Sequence, residues 1–289
     1  MRKEKKLMWF GSMASLMLLT ACGSTDAESK SASSEADNND DVTKIMVAYR
    51  QDYNPYAYVT EDGKPEGFEV KVLEQVDEKL ADYEFEFVPT SDEDLLIGLE
   101  SGKYDVGIKG AWYTEERAKK FIMPEEPIGA SVIGITFRTE SGYTSFEDFA
   151  ENSGKLIPIS PQNAQWTIIE GFNEEHSETP VELIASEQFT ISDAYQWLVE
   201  GRYDAYFDIK LQFENAVVKD DAPYHSFVDQ LSYIPYKAIP TYPIIHKSEK
   251  NEVFAEEYNN AIKELTEEGK IQELSEKYFG ENVFELVEE

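Results

Sequence analysis

The chain has 289 residues, with 26 Lys and Arg against 58 Asp and Glu, for a formal net charge of −32. A balance this acidic excludes a nucleic-acid partner, which needs a basic face for phosphate, and it repels anionic lipid headgroups. A single cysteine excludes a disulfide framework or a thiolate metal site.

The chain opens with basic MRKEKK (1–6) and a short apolar run, LMWFGSMASLMLLTA (7–21). A run this short behind a basic flank reads as a secretory signal peptide over 1–21, not as a membrane span. It ends in Leu19-Thr20-Ala21-Cys22, the leucine-small-small-cysteine order of a bacterial lipobox. Cys22 is therefore expected to become the lipidated first residue, palmitate among its acyl chains, and to anchor the protein without a spanning helix. Residues 22–42 form a tether, because GSTDAESKSASSEADNNDDV is rich in Ser, Asp and Glu and offers little to bury. Cleavage after residue 21 would leave 22 basic and 57 acidic residues, a charge of −35. Such a charge favours solubility at an exposed address.

About 245 residues remain, enough for one large or two small domains. Short apolar or alternating runs predict strands at 44–49, 83–88, 106–108, 132–137, 156–160, 182–186, 205–207 and near 242–246. Helical periodicity fills most of the intervals. In 67–80, Phe68, Val72, Val76 and Leu80 recur every fourth residue as one apolar stripe. Segments 92–100, 164–172, 192–200 and the long 252–279 read the same way. Strands alternating with helices define an α/β fold.

An internal echo divides this pattern. Residues 99–106 read LESGKYDV and residues 198–205 read LVEGRYDA. In each, a helix ends at Gly, a basic residue and Tyr-Asp follow, and a strand begins, which predicts two similar α/β lobes. Ligands of open α/β sheets bind beyond the carboxyl ends of the strands. After the first echo that point is Lys109-Gly110-Ala111-Trp112; after the second it is Asp208. Thr114 reads as a helix N-cap, so Arg117 falls in a first helical turn, where a cation is disfavoured by the helix dipole. Either a nearby acid such as Glu115 or Glu116 absorbs that charge, or an anion arrives.

These residues resemble the extracytoplasmic solute-binding proteins of ABC importers, in particular the polar amino-acid family. GFEVKVLEQVDEKL (67–80) is similar to the family signature on the first helix, with Lys71 in place of an acid. LESGKYDVGIKGAWYTEERAKK (99–120) resembles the family's L-x-x-G-x-x-D…T-x-E-R block, and IQELSEKYFGEN (271–282) its C-terminal helix. The resemblance spans 44–280. It implies a type II clamshell with two hinge crossovers: lobe 1 at 43–136 plus 241–289, and lobe 2 at 137–240. It further implies closure around an amino acid, delivery to a membrane permease and its ATPase, no cofactor, and a monomer at the outer face of the cytoplasmic membrane.

The resemblance also assigns residues. Arg117 matches the arginine that holds the ligand α-carboxylate, a role suited to its planar, permanently charged fork. Asp208 matches an acid offered to the α-ammonium, in the register of the cystine-type subgroup; a helix-capping role is compatible with this. Tyr53 and Tyr56 match an aromatic pair that stacks on the ligand, with core packing as the alternative for Tyr56. Gly110 is expected to lend its backbone N–H. Trp112 stands where the family has Ser or Thr, and so reshapes the pocket. Gln162 and Asn163 replace a Gly-Thr-Thr loop. Asp52 and Asp92 would suit a cationic ligand side chain, or are simply solvated acids.

Two other classes compete. The same fold can carry dehydratase chemistry on a small carboxylic acid, but no G-x-S-x-G, HExxH or phosphate-cradling loop is present. His176, His225 and His246 are too scattered for metal-ligand spacing. Surface adhesion, the other class, leaves no readable signature.

Overall fold

A computed structural model describes residues 42–161, 163–186 and 188–287. The signal peptide, Cys22, the tether and Gln162 lie outside the described residues. The strands are β1 (Thr43–Arg50), β2 (Asp52–Tyr53), β3 (Ala57–Val59), β4 (Pro65–Glu66), β5 (Tyr83–Thr90), β6 (Val106–Trp112), β7 (Gly129–Arg138), β8 (Ala205–Ile209) and β9 (Leu231–Ile245). The helices are α1 (Phe68–Lys79), α2 (Asp92–Glu100), α3 (Glu115–Lys120), α4 (Phe146–Glu151), α5 (Ala164–Glu175), α6 (Ile191–Val199), α7 (Lys210–Phe213), α8 (Glu249–Glu267) and α9 (Lys270–Phe279).

The main sheet has the order β5-β1-β6-β9-β7-β8. β5, β1 and β6 run parallel, with α1 leading into β5 and α2 joining β5 to β6. The long strands β7 and β9 pair antiparallel along their length and carry the sheet from this parallel half to β8. Their register shifts at Ile133/Gly134, where any Cβ on Gly134 would lie 2.0 Å from the Ile234 carbonyl oxygen. Only glycine fits so close an approach of two backbones.

Burial follows the same division. Ile45, Val47, Phe68, Leu73, Val76, Phe254 and Tyr258 pack one core around β1, α1 and α8. Ile133, Ile135, Phe146, Phe149, Phe172 and Phe207 pack another around β7, β8, α4 and α5. Ile157, Tyr195, Leu198 and Tyr206 pack a third against α6. These are the apolar faces that the four-residue and alternating periodicities provide.

The echo is a structural repeat. Gly102 and Gly201 both take left-handed φ, +72° and +70°, directly after α2 and α6, where a helix ends most readily on glycine. The following acids do the same work. Asp105 accepts from the Met46 amide at 2.9 Å, and Asp204 from the Lys155 amide at 2.9 Å. Each carboxylate thus ties the start of its strand to a neighbouring segment.

Three expectations change. The segments at 156–160 and 182–186 appear only as single bridges, Leu156 to Ala205 and Ile159 to Ala185; Pro158 removes a ladder donor from the first run, and the second run's bridge is to that first run. The segment 252–279 breaks at Gly269, whose φ of +77° separates α8 from α9. α1 ends one residue before Leu80, which caps the helix and still packs on the core beside Phe68, Val72 and Val76.

Candidate functional site

The first wall is built by β6. Its pairing with β9 shifts register between Gly107 and Ala111, and Gly110 lies in this bulge with φ +65°. A Cβ there would sit 2.7 Å from the Tyr53 ring, so glycine is required by both conformation and space. Its amide does not face the cleft. It donates to both carboxylate oxygens of Glu69, at 3.2 and 3.1 Å, which corrects the expectation that Gly110 lends this N–H to a ligand. Glu69 is fully buried in the first turn of α1 and also accepts from the Thr241 hydroxyl at 3.4 Å. Burial pushes its carboxyl up to about 7, against the lowering effect of those two donors.

Beyond the bulge, Trp112 is half-buried, and its ring packs against the core that contains Ile133 and Phe207. A side chain from the parallel half of the sheet therefore touches the core of the other half. The Trp112 carbonyl accepts from Arg117 Nη1 at 2.5 Å. Thr114 caps α3, taking the Arg117 amide on its hydroxyl at 3.1 Å, so both the cap and the first-turn placement are as the sequence predicts. Arg117 is half-buried and, among the described residues, has no ion pair. Burial lowers its pKa, opposed by Asp92 and Glu116. The side chain lines a cleft of about 300 Å³ with Leu96, Glu100, Thr114 and Phe121.

Tyr53 and Tyr56 stack, with centroids 4.9 Å apart and planes 16° from parallel. Only Tyr53 is partly open. Tyr56 is 4 % exposed, lies against Phe279 and donates its hydroxyl to the Ala130 carbonyl at 3.1 Å. It is a core residue that backs Tyr53, which corrects its assignment as a ligand contact. The Arg50 guanidinium covers the Tyr53 ring at 4.8 Å and pairs with Asp52 at 2.9 Å. Asp92 pairs with Lys109 at 2.5 Å. Each acid considered for a cationic side chain is thus already matched by a cation of its own.

The second wall centres on Asp208, near the end of β8 and 8 % exposed. Its Oδ1 accepts from the Ile209 amide at 2.8 Å and from Gln165 Nε2 at 3.2 Å, and the Tyr206 hydroxyl donates to the same carboxylate. The Tyr233 hydroxyl donates to the Asp208 carbonyl at 3.1 Å. Burial raises the Asp208 pKa, while Tyr206, Ile209 and Gln165 lower it. Asp208 does not cap the following helix; Ile209 occupies that position. Asp208 and Asn163 share a cavity of about 490 Å³ with Ser160, Ser186, Phe189 and Gln212. Asn163 is exposed and precedes α5 without capping it through its side chain.

Asp208 and Asn163 therefore come together, whereas Arg117 opens onto a different cleft. Burial raises the pKa of the Tyr53 hydroxyl, with Glu69, Asp208 and Asp92 acting in the same direction and Arg50 against it. Glu69, Gln165, Tyr206 and Tyr233 escaped the sequence reading. Tyr206 was within reach of it, since residues 206 and 208 share one face of a strand. Glu69 also carried a signal, lying between the apolar Phe68 and Val70 at the start of a buried helix. His176 and His246 each face a backbone carbonyl, of Phe172 and Leu99. No described helix is long and apolar enough to cross a membrane.

Residues 45–281 match the bacterial extracellular solute-binding proteins, family 3, and the chain belongs to that family. It is 24% identical over 238 residues to the L-cystine-binding protein TcyJ of Bacillus subtilis (strain 168), covering 82% of this chain and 84% of the relative. The probable amino-acid ABC transporter extracellular-binding protein ytmK of Bacillus subtilis shares the fold. Its TM-score is 0.63 at 21% identity, over 83% of this chain and 98% of that one. So does the L-cystine solute receptor of Neisseria gonorrhoeae in the unliganded open conformation, with a TM-score of 0.60 at 20% identity, over 86% and 97%. The architecture is the two-lobed type II solute-binding fold, and the protein is a substrate-binding component of the kind that serves ABC importers.

Proposed function

We propose that the protein captures an α-amino acid with a neutral side chain between its lobes and presents it to a membrane permease. The observation that carries this reading is a pair of opposite charges, neither in an ion pair among the described residues, with Asp92 and Glu116 acting on Arg117 only from a distance. Arg117 binds a backbone carbonyl and has no acid paired with it among the described residues. Asp208 is held by an amide side chain, a phenol and a backbone N–H. A zwitterion supplies what each lacks: a carboxylate for Arg117 and an ammonium for Asp208. Their separate clefts suit an open clamshell whose closure is driven by a ligand touching both walls. The two connections between the lobes run through the antiparallel pair β7 and β9, with residues 136 and 241 as the lobe boundaries.

Neutrality of the side chain follows from the internal pairs Arg50–Asp52 and Lys109–Asp92, which leave neither acid free for a ligand cation. Asn163 and Gln165 offer amide hydrogen bonds instead. Cys22 carries the lipid and residues 23–42 the tether, which places the monomeric domain at the outer face of the cytoplasmic membrane. The protein returns its ligand unchanged.

Thermal unfolding after stripping and refolding tests this, with the twenty amino acids, cystine, ornithine and prephenate as ligands. A ligand at 100 times its Kd stabilises by about 2.7 kcal/mol. A shift with neutral α-amino acids that Arg117→Ala abolishes is expected. A shift only with arginine, lysine or ornithine would overturn the neutral class, and none with any α-amino acid would overturn the roles of Arg117 and Asp208. Turnover of prephenate would favour the dehydratase reading.

A further inference from the structure

Glu69 is fully buried, and its hydrogen-bond partners belong to the strands that form the first wall. The β6 bulge turns the Gly110 amide out of the ladder with β9, and an amide buried without a partner is strongly disfavoured. The carboxylate supplies that partner with both oxygens. Being in the first turn of α1, it also lies at the positive end of a twelve-residue helix. The bulge leads directly into Trp112, whose carbonyl anchors the Arg117 guanidinium.

We propose that Glu69 is a positioning residue of the binding site: its carboxylate clasps the Gly110 amide, fixes the β6 bulge and so sets the Trp112–Arg117 wall that receives a ligand carboxylate. The proposal rests on the role given to Arg117 above. A Gln would serve the clasp nearly as well, so the choice of an acid has a consequence. The Gly110 amide from β6 and the Thr241 hydroxyl from β9 face Glu69, and the titratable groups within electrostatic reach of it are Tyr53, Tyr56 and Tyr258 from the β2–β3 region and α8, of which Tyr56 donates to Ala130 and Tyr258 to Glu126. The nearby cations point elsewhere, Lys109 to Asp92 and Lys71 to Glu66 and Glu74. When Glu69 ionises, its charge stands behind the wall with no cation paired to it and, although the Gly110 and Thr241 donors offset part of it, opposes an incoming carboxylate. Affinity therefore falls as pH rises through about 7, where burial places this carboxyl.

The test titrates L-glutamine and L-cystine into the full chain, wild type, Glu69→Gln and Glu69→Ala, from pH 5.5 to 8.5. Amide hydrogen exchange at Gly110 is followed alongside. Wild-type affinity is expected to drop by roughly 5-fold over this range, the low end of coupling between two sites. Glu69→Gln should bind as wild type does at pH 6 and lose the slope. Glu69→Ala should bind more weakly at every pH and lose Gly110 protection. A flat wild-type profile, or a slope that survives Glu69→Gln, overturns the proposal. If neither amino acid binds the wild type, the role of Arg117 fails and exchange alone decides the clasp. Protection kept in Glu69→Gln and lost in Glu69→Ala upholds it; protection kept in both overturns it.

Discussion

Glu69 also determines how stability should depend on pH. Burial lifts its carboxyl from 4.5 to about 7. At 1.36 kcal/mol per unit, the ionised form is disfavoured by about 3 kcal/mol in the folded protein. The sign follows from proton counting. Between the two values the unfolded chain has released its proton and the folded chain has kept it, so folding takes up a proton and stability falls as pH rises. The contribution is complete below 4.5, declines across 4.5–7 and stays lost above 7. Glu69→Gln cannot ionise and escapes this decline. Asp77, Asp208 and Glu214 are also raised, but they are common to both proteins and cancel in the difference. Urea unfolding at pH 5, 6, 7 and 8 measures that difference directly. Wild type should lose ground to Glu69→Gln by up to about 3 kcal/mol across the series. A difference that is constant from pH 5 to 8, or that grows in favour of wild type, would refute the reasoning.

Gly110→Ala meets both a left-handed backbone and the Tyr53 ring; denaturant titration should show a loss of about 1–3 kcal/mol. Tyr56→Phe removes the hydroxyl's bonds to the Ala130 carbonyl and to the Ser131 side chain. It should cost about 1 kcal/mol of stability and leave the ligand-induced melting shift unchanged. Asp208→Asn keeps the hydrogen-bonding shape and removes a buried charge, so calorimetry and melting should diverge. Amino-acid affinity should fall by about 30-fold or more while the melting temperature holds or rises.

The architecture was legible because it rests on local regularities. Four-residue stripes located α1, α2, α5 and α6, and the two Gly-basic-Tyr-Asp segments marked equivalent helix-to-strand turns. Thr114 as a cap and Arg117 in the first turn follow from the same short-range rules. The break at Gly269 was missed because a glycine inside a periodic run is ambiguous: it can continue a helix at modest cost or end it in the left-handed conformation.

What the sequence alone determined is what neighbours along the chain decide: the alternation of elements, their caps, the repeat and the short list of strand ends where a ligand can sit. Tertiary structure decided which of two similar residues is buried. Tyr53 and Tyr56 look equivalent in DYNPYAY, yet Phe279, brought in by the C-terminal helix, buries one of them. Gly110 was legible as a backbone donor, but the direction of its amide was set by Glu69, 41 residues earlier. Asp52 and Asp92 differ from other acids only through Arg50 and Lys109, with Lys109 arriving from another strand. Burial and charge pairing are properties of contacts between distant segments, and periodicity along one segment carries no record of them.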